Sequence, residues 1–149
     1  MNRYRQRDAA PLRSLPAGHP FHAVAIWITR LVIAYLGLSI LFFVLAVVAD
    51  NQHHDSVGIY VWGRVITELV LGIAYFLFIH LWKRGKFWGY LRMLMTSALA
   101  GVSTLSVMTL QGAYPWWLRL EQVVQFIVVA VLFYILTRPA MRRRFAKRA

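Results

Sequence analysis

Four long apolar segments constrain the fold of this chain more than any other feature of its sequence. They cover residues 24–48, 59–82, 88–110 and 116–137. Each is about 20 to 25 residues long, which matches the roughly 20 residues that a helix needs to cross the hydrocarbon core of a bilayer. The sequence therefore predicts an all-α integral membrane protein, built as a bundle of four transmembrane helices.

The apolar segments leave no room for a separate soluble domain. Hydrophobic residues make up 60% of the 149 residues, above the roughly 45–50% of a soluble domain. Outside residues 24–137 there are only two polar, basic ends, residues 1–23 and 138–149. We therefore expect one helical transmembrane domain with a basic cytoplasmic tail at each end.

Positive charge lies almost entirely on one side of the predicted bundle. The net formal charge is +12, and of the 17 Lys and Arg residues only Arg64 and Arg119 lie toward the opposite side. Lys and Arg are retained on the cytoplasmic side during insertion. Both termini are therefore predicted to be cytoplasmic, in a bacterial-type plasma (inner) membrane.

The same basic residues are expected to contact the anionic head groups of membrane lipids. The candidates lie near the start of the first segment, in the connection between the second and third, and after the fourth: Arg30, Lys83, Arg84, Lys86, Arg142, Arg143 and Arg144. Because the insertion rule already accounts for this charge, no nucleic-acid partner is predicted.

Small residues at helical spacing distinguish the third segment from the others. Ser97 and Gly101 are four residues apart, as are Ala100 and Thr104. Small residues at this spacing allow helix backbones to approach closely in lipid. These four positions are therefore predicted to pack against neighbouring helices.

Ionisable and amide side chains within the second and fourth segments form a candidate polar cluster. Glu68 lies inside the second segment with Arg64 one turn before it, and the fourth segment carries further polar residues at similar depth: Arg119, Glu121, Gln122 and Gln125. Charged groups within a membrane are costly and usually paired or functional. The favoured interpretation is a network that locks two helices together. The alternatives are a proton- or substrate-binding carboxylate and a contact surface for a membrane partner.

A weak internal repeat relates the second and fourth segments. A shift of 55 residues superimposes Trp62 and Arg64 on Trp117 and Arg119. Two tandem helical hairpins of common origin would produce this pattern. Two spans with the same direction would also produce it by convergence, and the sequence favours neither explanation.

Histidines provide only weak signals for a metal or a cofactor. The polar connection after the first segment contains Asp50, His53, His54 and Asp55, whose side chains are donor types for zinc or copper. Their spacing is not specific, and a solvated loop is the preferred interpretation. His22 and His80 are interpreted as interface residues rather than as haem ligands. No cofactor is therefore predicted.

The chain has no cysteine, and it contains no catalytic triad, phosphate-binding glycine loop or metalloprotease helix motif. The sequence therefore predicts a non-catalytic accessory or interaction subunit of a larger membrane complex, joined to another membrane protein or to itself. The alternative is a small oligomeric proton-coupled transporter or channel with Glu68 as its intramembrane carboxylate. An enzyme that acts on lipids ranks last.

Overall fold

All regular structure in the described part of the chain is helical. This computed structural model describes residue 9 and residues 11–16, 19–52, 58–109 and 116–145, without the side chains of residues 107 and 108. A short 3-10 helix is followed by five α-helices: Leu12–Ser14, then α1 (Pro20–Gln52), α2 (Ile59–Lys83), α3 (Phe87–Thr109), α4 (Trp116–Thr137) and α5 (Pro139–Phe145). The prediction of an all-helical bundle is confirmed.

The four long helices form a ring in which each packs against two neighbours. Helix α1 contacts α2 and α4, and α3 contacts the same two helices, so α1 and α3 occupy opposite corners. Short connections make successive helices antiparallel. We call the end where α1 begins and α4 ends the terminal end, and the opposite end the far end. Helices α2 and α4 therefore run in the same direction, from the far end to the terminal end.

Helix length and hydropathy identify a multi-pass membrane protein. Among the described residues, three helices are long and apolar enough to cross a membrane, namely α1, α2 and α4. Helix α3 falls below that hydropathy because hydroxyl residues and glycines replace larger apolar residues along it. At 33 residues, α1 is also longer than the predicted segment at both ends.

Two apolar clusters fill the interior and leave a polar layer between them. The larger cluster extends to the terminal end and includes Tyr75, Trp82, Met93 and Leu132. The smaller cluster lies at the far end and contains Ala46, Val61, Val65 and Leu118. Between them, α2 and α4 bury charged and amide side chains. The bundle therefore has its most polar interior where a membrane helix can least tolerate unpaired groups.

Described segments of both predicted tails pack against the bundle. At the C-terminus, α5 buries Met141 and Phe145, and the Phe145 ring stacks on Tyr90 with 4.8 Å between centroids. At the N-terminus, the Ala9 N–H donates to the Gly85 carbonyl at 2.8 Å, and Leu12 is buried. The expected tails therefore hold structured segments, because each has apolar residues that bury against the terminal end.

Close helix approaches occur at glycines other than the predicted one. Ser97, Ala100 and Thr104 are buried, but a Cβ on Gly101 would meet no atom within 4 Å. Gly101 is half-buried and lies beside the inward stripe of α3, so the close approach predicted for it is not made to another helix of this chain. A Cβ on Gly89 would instead lie 2.6 Å from the Trp82 backbone nitrogen, and one on Gly72 would lie 2.9 Å from Leu36 Cδ1.

Candidate functional site

The guanidinium of Arg64 joins three of the four long helices. From α2, its Nε and Nη2 both donate to Gln122 Oε1 of α4, at 3.1 and 2.6 Å. Its Nη1 donates to Ser103 Oγ at 2.7 Å and its Nη2 to Thr104 Oγ1 at 3.1 Å, both on α3. A planar guanidinium suits contacts to two other helices at once because its donors point in different, fixed directions. Arg64 therefore reaches across the ring from α2 to α4, which occupy the other pair of opposite corners.

Glu68 extends the same network to α1, the remaining long helix. One carboxylate oxygen is ion-paired with Arg64 one turn earlier on α2. The other accepts a hydrogen bond from the Tyr35 hydroxyl of α1. Both oxygens of this buried carboxylate consequently have partners within the chain, which buried charges require. We call the set Tyr35, Arg64, Glu68, Ser103, Thr104 and Gln122 the Arg64 network.

Next to this network, three buried polar atoms on α4 have no hydrogen-bond partner among the described residues. Gln125 Nε2 donates to Glu121 Oε1 at 2.9 Å. Glu121 Oε2, Gln125 Oε1 and Gln122 Nε2 are buried and have no hydrogen-bond partner among the described residues. Buried polar atoms normally find a protein or water partner. This part of α4 is therefore the least satisfied part of the interior.

Arg119 does not join the network. Its side chain is exposed on α4 near the far end, whereas Arg64, its counterpart under the 55-residue shift, is buried. Glu121, Gln122 and Gln125 lie on the inner face of α4, and Arg119 lies on the outer one because it is out of phase with them. The repeat in sequence is therefore not a repeat in side-chain environment.

Tyr35 and Ser103 belong to the network but were absent from the predicted cluster. A tyrosine in an apolar segment and a serine among many in α3 provide no signal of their own. The available signal was the donor requirement of Glu68, since a membrane carboxylate needs more than one partner. A second tyrosine makes a similar contact: the Tyr75 hydroxyl of α2 donates to Ser97 Oγ of α3 at 3.0 Å. The predicted packing position Ser97 therefore also has a polar partner.

The predicted head-group residues all lie at the terminal end but in different surroundings. Arg30, Arg84, Lys86, Arg142 and Arg143 are exposed, whereas Lys83 and Arg144 are half-buried. The Arg144 guanidinium lies 4.7 Å from the centre of the Phe21 ring, and burial lowers its pKa from the ordinary value. The Arg30 guanidinium lies 5.6 Å from the centre of the Trp27 ring.

A cavity of about 620 Å³ opens beside some of these residues, between α1, α2 and the N-terminal segment. It contains both His22 and His80, which the sequence placed at the interface separately. Arg13, Arg30, Lys83 and Arg84 also line it. The sequence did not indicate this cavity because its third wall, residues 11–13, comes from the expected tail.

The weak metal candidates lie at the end of α1 and in the connection that follows it. His53, His54 and Asp55 lie outside the described residues, and Asp50 is near the end of α1. Within the described ranges, no three His, Cys, Asp or Glu side chains come together as a possible metal site.

No protein-family model, curated protein or solved structure matches the chain. Its function must therefore be inferred from the arrangement of its own residues.

Proposed function

We propose that this protein is a small, non-catalytic, four-span accessory subunit of a larger complex in a bacterial-type inner membrane. The use of its interior charges supports this role. One oxygen of Glu68 accepts from Tyr35 of α1, and the other is paired with Arg64, whose guanidinium in turn donates to α3 and α4. Groups engaged in this way hold a bundle together and are not available to bind a substrate.

In the proposed topology, α3 crosses the membrane in addition to α1, α2 and α4, and both termini lie in the cytoplasm. Helices α2 and α4 run in the same direction, so α3 must return across the membrane between them. Its modest hydropathy is compensated by packing against both neighbours. The described basic residues other than Arg64 and Arg119 lie at the terminal end, which the positive-inside rule assigns to the cytoplasm.

The outer face of α3 is the observation that carries the proposed interaction. It comprises the exposed residues Met95, Ala98, Leu99, Val102, Leu105, Ser106 and Thr109. Leu99 and Val102 are 68% and 64% exposed, although this helix alone among the four falls short as an independent span. Four of these residues are large and apolar, and Ala98, Ser106 and Thr109 add small and hydroxyl side chains; such a face on a weakly apolar helix is better suited to another protein helix than to lipid. We therefore assign the partner, a second membrane protein, to this face.

Site-specific photo-crosslinking in the native membrane tests this assignment. A photoreactive residue at Val102 should produce one reproducible adduct with a second membrane protein, and the same residue at Ile33 on the outside of α1 should not. Replacing Ala98 with Phe should abolish the Val102 adduct by filling the face, whereas the matched Ala34→Phe change on α1 should leave it. Adducts of equal yield from both helices would overturn the assignment, and an adduct with a second copy would favour self-association.

A transporter or channel is the second candidate function, and Glu121 is the residue that favours it. Glu121 Oε2 has no hydrogen-bond partner among the described residues, in contrast to both oxygens of Glu68. Buried carboxylates inside membrane helices mark proton relays in pumps and transporters. If this chain moves protons, the carboxylate that exchanges them is therefore better assigned to Glu121 than to Glu68.

Proton flux into liposomes distinguishes the two functions. The accessory-subunit proposal predicts that purified protein in vesicles with a trapped pH dye and an imposed potassium potential gives no flux above empty vesicles. The transporter alternative predicts a flux that Glu121→Gln abolishes and that the exposed-residue control Arg119→Gln preserves. A flux with that pattern would replace the accessory-subunit proposal.

A further inference from the structure

The lining of the cavity at the terminal end combines basic and apolar residues. Arg13, Arg30, Lys83 and Arg84 contribute four formal positive charges, and none of its lining residues is acidic. Pro11, Leu12, Ala25 and Ile26 provide apolar surface. Its volume of about 620 Å³ lies within the roughly 300–1,000 Å³ of small-molecule sites. These properties suit a ligand with an anionic group and an apolar body.

Histidine side chains add hydrogen-bonding capacity to the charges. His22 Nε2 is buried and has no hydrogen-bond partner among the described residues. The His80 Nδ1–H donates to the Phe76 carbonyl at 2.8 Å, so Nε2 is the ring nitrogen that remains for a ligand. The planar guanidinium of Arg can donate two parallel hydrogen bonds to one phosphate, and Lys binds phosphate as a point charge. The anionic group that fits this set is a phosphate.

The surroundings of the cavity favour a phosphate that carries acyl chains. On α1, Ile26, Arg30 and Ile33 lie along one helix face, and both isoleucines are exposed. On α2, Ile73 and Phe76 are exposed on the turns that precede His80. By helical spacing, these two rows lead from the cavity along α1 and α2 into the membrane-spanning part of the bundle surface. A lipid bound by its phosphate could lay its chains against them.

We propose that this cavity is a specific binding site for one anionic phospholipid, with the phosphate held by Arg30, Lys83 and Arg84. The site rests on the assignment of the terminal end to a membrane surface and is independent of the outer face of α3. Arg13 lines the cavity from the N-terminal segment, which the Ala9–Gly85 hydrogen bond holds against the end of α2.

Native mass spectrometry of the full-length protein in detergent tests the site with phosphatidylglycerol and with phosphatidylcholine of the same chains. The wild type should retain one phosphatidylglycerol in preference to phosphatidylcholine. The triple change Arg30→Gln, Lys83→Gln and Arg84→Gln should weaken that binding by about tenfold or more, because each basic side chain near the surface attracts anionic lipid. The control Arg92→Gln, Arg142→Gln and Arg143→Gln removes three charges from the same end and should change it less than about threefold.

A second variant separates the cavity from its charges. Thr29→Trp fills the cavity, keeps every basic residue and should also release the bound lipid. Equal loss in the cavity and control triple variants would reduce the site to general surface charge and overturn the proposal. Retention of lipid by Thr29→Trp in a folded protein would also overturn it. Displacement of phosphatidylglycerol by equimolar inorganic phosphate would assign the cavity to a free anion instead.

Discussion

Replacing Arg64 with leucine is expected to lower the free energy of unfolding by about 3–5 kcal/mol, the largest effect of any single substitution in the interior. The variant would leave Glu68 buried with only the Tyr35 hydroxyl as its partner and would free the acceptors on α3 and α4. Removing one member of a buried ion pair is costly because an uncompensated charge remains. Equilibrium unfolding in mixed micelles, followed by circular dichroism, measures the change.

Two further variants make the Arg64 prediction specific. Arg119→Leu removes an exposed arginine from the same end and should alter stability by less than about 0.5 kcal/mol. The double change Arg64→Leu and Glu68→Leu removes both charges and should recover most of the loss, because apolar pairs can replace buried ion pairs with little cost. A single Arg64→Leu variant as stable as Arg119→Leu would show that the network does not hold the helices together.

The second large effect is expected at Gly89, where an added methyl group has no space. Its Cβ would lie 2.6 Å from the backbone nitrogen of Trp82 and 2.9 Å from the backbone carbon of Leu81. Backbone atoms cannot rotate aside, so the turn between α2 and α3 would have to open. We expect Gly89→Ala to lower the free energy of unfolding by about 1–3 kcal/mol, which is typical of overpacking.

Alanine at two other glycines provides a graded series for the same measurement. Gly72→Ala meets the flexible Leu36 Cδ1 at 2.9 Å and the Leu36 Cα at 3.3 Å, so its effect should be smaller than that of Gly89→Ala. Gly101→Ala meets nothing within 4 Å and should be neutral within about 1 kcal/mol. A different order of stabilities would contradict the described packing of α1, α2 and α3.

Hydrophobic pattern alone predicted the elements of this fold. Runs of about 20 apolar residues have few alternatives to membrane helices, and the ends of α2 and α4 lie close to the ends of their segments. The same reasoning missed α5 and the packed N-terminal segment. Their apolar residues, such as Met141, Phe145 and Leu12, are few and lie among charges, so only the bundle surface beneath them makes burial favourable.

The candidate site could be predicted in its ionic part but not in its neutral part. Arg64, Glu68 and Gln122 were identifiable because charged and amide groups are rare within membrane segments. Tyr35 and Ser103 were not, since their roles depend on how α1 and α3 are rotated against α2. The same rotation turns Arg119 outward and places Gly89, rather than Gly101, at the tightest contact. Helix phase is a property of the assembled bundle, and the spacing of small residues does not determine it.

Native mass spectrometry of the protein extracted from its own membrane in lipid nanodiscs tests the central proposal most directly. An accessory subunit should appear in a larger mass that contains a reproducible second membrane protein, and Ala98→Phe on the outer face of α3 should release it. A protein that is monomeric and without partners in the same nanodiscs would contradict the proposed function.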